Sequence, residues 1–121
     1  MNNYREFNML ELKISLRNKN EIERFLLINI IGIMDSLKEE LITIDECEIY
    51  LFSPYSINKL CELKINNEII SLLEEGTELE DVESLVPEKL KSTIDNLKFR
   101  AIDLLSKISN EEICEYKKWI D

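Results

Sequence analysis

The chain has 121 residues, 45% of them hydrophobic and 33% charged, with a formal net charge of −10 and no histidine. That length and apolar content suit a single globular domain with one core and exclude a disordered chain. Two glycines and two prolines leave too little turn material for an all-β fold, so the expected class is all-α, or mainly α with one short N-terminal strand.

In chain order, residues 1–19 form an expected strand or arm. Within it MLELKISLR alternates Leu10, Leu12, Ile14 and Leu16 with polar residues, the period of a half-buried strand. An early helix with Phe7, Leu10 and Ile14 inward is the alternative reading. A lone strand leaves its backbone donors and acceptors without partners. No second strand is evident in the sequence, so antiparallel pairing with another copy, giving a homodimer, is one expectation.

A helical core is expected over 20–108. Its centre is FLLINIIGIM, Phe25 to Met34, in a helix expected at about 21–41. On a helical projection Ile22, Leu26, Ile30, Ile33, Leu37 and Leu41 share a side that Leu27, Ile31 and Met34 continue, with Phe25 and Ile28 extending it in the first turns. Asn20 and Glu23 are expected to cap it. Asn29, Gly32 and Ser36 share a narrow strip, read as the place where another helix crosses, because a mid-helix glycine costs about 1 kcal/mol relative to alanine. The apolar run is ten residues, flanked by charges, whereas crossing a membrane takes about 20.

Thr43 and Glu46 open a short helix near 44–52 with Ile44, Cys47 and Leu51 inward, and Ser53 and Pro54 are expected to stop it. Further short helices are expected at 56–64 and from Asn66 to a C-cap at Gly76. Thr77 and Glu80 form the expected capping box of another, through Leu79, Val82 and Leu85. Pro87 suits the first turn of a long helix over about 87–108, whose stripe is Leu90, Ile94, Leu97, Ala101, Leu104, Leu105 and Ile108. Ser109 and Glu112 signal a C-terminal helix over 109–121, held by Ile113, Tyr116 and Ile120. The two long helices and the short ones between them make a compact orthogonal bundle.

The charge is concentrated in the middle. Residues 25–88 hold three bases, Lys38, Lys59 and Lys64, against fifteen acids, while residues 1–24 and 89–121 each carry one net positive charge. Such a surface repels nucleic acid and anionic membrane and attracts a basic protein; it also simply keeps a protein in solution. The densest acidic stretch is EEGTELEDVE, with Glu74, Glu75, Glu78, Glu80, Asp81 and Glu83 as a candidate partner-binding surface. Helix-dipole stabilisation of acids in a first turn by itself accounts for the placement of Glu78, Glu80 and Asp81. In LFSPYS, Phe52 and Tyr55 read as a packed proline corner.

Cys47, Cys61 and Cys114 are odd in number and widely spaced, and MNNYREFNML has neither basic leader nor apolar h-region, so reduced thiols and a cytoplasmic location are expected. Zinc would want CxxC pairs or histidine, and the chain has neither; with Gly32 and Gly76 far apart there is no phosphate loop. No catalytic, cofactor-binding or metal-ligating residue is assigned, and no cofactor is expected. The functional expectation is a non-enzymatic acidic protein-interaction module, of the immunity or antitoxin-like kind that masks a basic partner. The alternatives are a protein or enzyme that uses its carboxylates on a small ligand or cation, and a purely structural homodimer.

The stretches FLLINIIGIMDSL, LFSPYSINKL and GTELEDVESLVPEKL together resemble a family of small uncharacterised bacterial proteins, a domain of unknown function found mainly in Gram-positive bacteria. The resemblance spans about residues 10–108, with the tail from Ser109 outside it. It implies a compact helical unit of bacterial cytoplasmic origin and carries no functional residues over.

Overall fold

The computed structural model describes residues 10–108 and 118–121. It is all-α, with helices α1 (Lys19–Lys38), α2 (Ile44–Tyr50), α3 (Pro54–Glu62), α4 (Asn67–Gly76), α5 (Leu79–Leu85) and α6 (Leu90–Lys107), and a 3-10 turn at Pro87–Lys89.

The organising contact is the antiparallel packing of α1 on α6. Each helix contributes one apolar stripe: Leu26, Leu27, Ile30, Met34 and Leu37 from α1, and Ile94, Leu97, Ala101 and Leu104 from α6. Three polar contacts fix the register along the pair. Arg24 donates to the Ile108 carbonyl at 2.9 Å, Lys98 meets Asp35 at 2.6 Å and Lys38 meets Asp95 at 2.8 Å. The first of these brings a cation to the negative end of α6. Helix α4 closes the core with Ile69, Ile70, Leu72 and Leu73, joined by Phe52, Leu60, Ile65 and Leu79.

The start of α1 is two residues earlier than the Asn20 cap signal suggests. Its cap is Asn18 rather than Asn20: the Asn18 side chain accepts from the Glu21 amide at 2.8 Å, and Glu21 accepts from the Arg17 amide at 3.0 Å. The same spacing exists at Asn18–Glu21 and Asn20–Glu23, and only the first leaves Glu23 free for another task. Buried Glu23 accepts from the backbone amide of Asn66 at 2.8 Å, and Asn66 in turn caps α4, so one carboxylate ties two helix starts together.

Helices α1 and α3 end in Schellman motifs whose left-handed residue is not glycine. Glu40 (φ 60°) and Lys64 (φ 58°) occupy that position, with Leu41 donating to the Ser36 carbonyl and Ile65 to the Leu60 carbonyl. Gly76, the expected C-cap, is instead the last helical residue of α4 and does not have a positive φ. It is glycine for packing: the buried Phe52 ring fills the space a Cβ would need. Gly32 is the opposite case. Beyond its own helix, no described residue lies within 4 Å of the place a Gly32 Cβ would take, so among the described residues no helix crosses at the Asn29, Gly32, Ser36 strip. Asn29 donates to the Phe25 carbonyl and Ser36 to the Gly32 carbonyl, both within the helix, and α6 crosses on the other face.

Other expectations are corrected locally. Ser53 and Pro54 start α3 instead of only stopping α2, because the Ser53 hydroxyl caps Ser56 and proline fits the first turn. Thr77 and Glu80 form no capping box: the Thr77 hydroxyl donates back to the Glu74 carbonyl at 2.6 Å, and Glu78 stands at the N-cap of α5 without a side-chain cap bond. Leu41, Ile28 and Leu85 are exposed, and so is Tyr55, while Phe52 is buried.

Residues 10–17 form no strand, and Leu10, Leu12 and Ile14 face water. Their backbone makes one antiparallel bridge, Ile14 with Ile120 of the same chain, with Ser15 donating to Trp119 and Asp121 to Lys13 at 2.9 Å each. The Ser15 amide and the Lys13 carbonyl are thereby paired within the chain. Trp119 also meets Phe25 edge to face, 4.8 Å between centroids. The expected C-terminal helix lies mostly outside the described residues, and 118–121 are not helical.

Candidate functional site

The acidic stretch does not stay together as one patch. Glu74, Glu75, Glu78, Glu80, Asp81 and Glu83 are all exposed, spread from the end of α4 through α5. Glu75 is neutralised by α6: Arg100 grips it through two nitrogen–oxygen contacts of 2.7 Å, which holds its carboxyl below the ordinary value. Glu80 turns toward α2, where its carboxylate, Asp45 and Glu48 bring oxygens within 4.8 Å of one another. Partial desolvation, reinforced by the charges of Glu80 and Asp45, pushes the Glu48 carboxyl up. The trio offers one oxygen from each residue, and hard cations such as calcium take six to eight oxygen ligands.

Glu83 faces a third place, an open cleft of about 710 Å³ between the α1–α2 connector and the start of α6. Leu37, Ile44 and Ile94 are buried in its floor, with Ile42 and Leu90 half-buried beside them. Glu40, Asp45, Glu83 and Glu88 stand exposed at its edge. Glu40 is held there by the left-handed turn that ends α1. Lys38 and Lys91 are the bases of this cleft, and Lys38 is engaged by Asp95. A second cleft, of about 410 Å³, is lined by Lys19, Cys61, Lys64, Ile65, Asn66, Asn67 and Ile70.

The chain has no histidine to serve as base. Burial pushes the Cys47 thiol up to about 11, leaving it protonated at neutral pH. Cys61 is free and exposed, and Cys114 lies outside the described residues.

The sequence does not predict the meeting of Asp45 and Glu48 with Glu80, or the acid-edged cleft. Both join residues far apart in the chain through the packing of short helices, and no spacing rule carries that information.

Fold and surface define a small all-α protein whose acids gather on the short helices and whose bases line α6. The chain belongs to the DUF3969 family, described as a protein of unknown function, which matches residues 17–121. The shared part therefore includes the tail from Ser109 that the resemblance puts outside it. No curated protein and no solved structure matches the chain. Among the described residues no helix is long and apolar enough to cross a membrane.

Proposed function

We propose that this protein is a non-enzymatic interaction module whose acidic middle binds a basic protein, as an immunity or antitoxin-like protein masks a cationic active site. The observation that carries the reading is the sorting of charge. Asp35 of α1, Glu75 of α4 and Asp95 of α6 are paired, with Lys98, Arg100 and Lys38 respectively. The acids on α2 and α5 are exposed or half-buried, and no described lysine or arginine forms an ion pair with them. A field of one sign accelerates encounter with an oppositely charged partner and rejects like-charged ones.

The test is salt-dependent capture of basic proteins from the native cell by the immobilised full chain. Capture at low salt should fade as ionic strength rises from about 0.01 M to about 1 M, where the Debye length shrinks from about 30 Å to about 3 Å. Replacing Glu78, Glu80, Asp81 and Glu83 together with glutamine should abolish it. Capture that is indifferent to both changes overturns the reading.

A further inference from the structure

We infer that the cleft between the α1–α2 connector and the start of α6 is a docking groove for a short basic amphipathic segment of a partner protein. This rests on the interaction-module reading and assigns that module its point of engagement. At about 710 Å³ the groove has room for a few aliphatic side chains, within the range of sites that enclose drug-sized ligands.

The floor and the edge ask for different chemistry in the same occupant. Leu37, Ile44, Leu90 and Ile94 are an apolar floor, which rewards aliphatic side chains and gives a small hydrated ion nothing. Glu40, Asp45, Glu83 and Glu88 edge it from the connector, α2, α5 and the 3-10 turn. None of the four forms an ion pair with a described lysine or arginine. Once Lys38 is matched by Asp95, Lys91 alone opposes four carboxylates, so anionic ligands are repelled and lysine or arginine side chains are drawn in. Leu41 and Leu85, 76% and 79% exposed, follow the edge residues Glu40 and Glu83 by one and two positions in the chain. An amphipathic segment with leucines on one side and lysines on the other satisfies floor and edge together.

The probe is a synthetic helical leucine–lysine peptide, titrated at about 0.15 M salt, where the Debye length is about 8 Å, into the methyl-labelled full chain and followed by NMR. Methyl resonances of Leu37, Ile42, Ile44, Leu90 and Ile94 should shift. The double variant Glu83→Lys, Glu88→Lys should weaken binding by about tenfold or more, as expected for reversing charges that steer and hold a cation. The control Glu62→Lys, Glu68→Lys, with the same charge change on α3 and α4, should leave affinity within about twofold, since separated exposed charges are screened. Circular dichroism establishes that both variants are folded. Equal weakening by the two variants, or shifts confined to another face, overturns the groove while leaving the module reading intact. So does a peptide that fails to bind under conditions where polylysine binds. Failure of both peptide and polylysine overturns the groove and the module reading together.

Discussion

Gly32 and Gly76 are the only glycines of the chain, and alanine at each should act with opposite sign. At Gly32 a methyl group enters open space in the middle of α1, so Gly32→Ala should stabilise by about 0.5–1 kcal/mol through reduced backbone freedom in the unfolded chain. At Gly76 the methyl group meets the buried Phe52 ring, and Gly76→Ala should cost about 1–3 kcal/mol, the usual range for overpacking a core. Urea midpoints of the two variants, with unchanged slopes, check both. The sequence shows that each glycine lies near or in a helix, but not which one is packed, because that depends on what crosses it. The cysteines separate in the same way. Exposed Cys61 should react with a thiol reagent in the folded protein, whereas Cys47, buried and raised to about 11, should react only on unfolding. Mass spectrometry of peptides from protein labelled before and after denaturation reads this out.

At the scale of elements, α1 and α6 were legible because burying one face of a long helix imposes a 3.6-residue period that survives any detail of packing. Their ends were less so. The segment from Asn18 to Glu23 contains two overlapping capping signals, and the choice between them is made by Asn66, forty-three positions from Glu23. Caps that rely on near neighbours, such as Thr43 with Glu46, were readable; Schellman ends at Glu40 and Lys64 were not, since nothing in those side chains announces a left-handed backbone. The tertiary cap gives a direct test. Glu23→Ala removes the acceptor from the Asn66 amide at the buried joint of α1 and α4, and should cost about 1–3 kcal/mol, the desolvation penalty of an unsatisfied donor. Faster amide exchange at Asn66 than at the centre of α4 distinguishes this from a general loosening.

For the molecule as a whole, the excess of acid was plain in the sequence, but its division into paired and unpaired sets arises only when α6 is laid against α1 and α4. The two sets should respond oppositely to pH. Glu75, held below its ordinary value of 4.5 by Arg100, stabilises the fold above that pH, and its contribution is lost as pH falls through the folded value. Glu48 has a raised carboxyl, so the folded state binds that proton more tightly than the unfolded chain does. Its favourable contribution is complete below the ordinary value of 4.5 and disappears as pH rises through the folded value, leaving a charge that is partly desolvated and faces Glu80 and Asp45. Glu48→Gln should therefore raise the melting temperature at pH 7, lose that advantage in acid, and show a smaller gain in high salt, where repulsion among the three carboxylates is screened. Thermal melts across pH 3–7 for Glu48→Gln and Arg100→Gln should diverge: the first variant gains on the parent as pH rises, and the second loses. Parallel curves for the two would mean that the carboxylates of α2 and α5 are as well compensated as those facing α6, and the charge sorting behind the proposed partner surface would be gone.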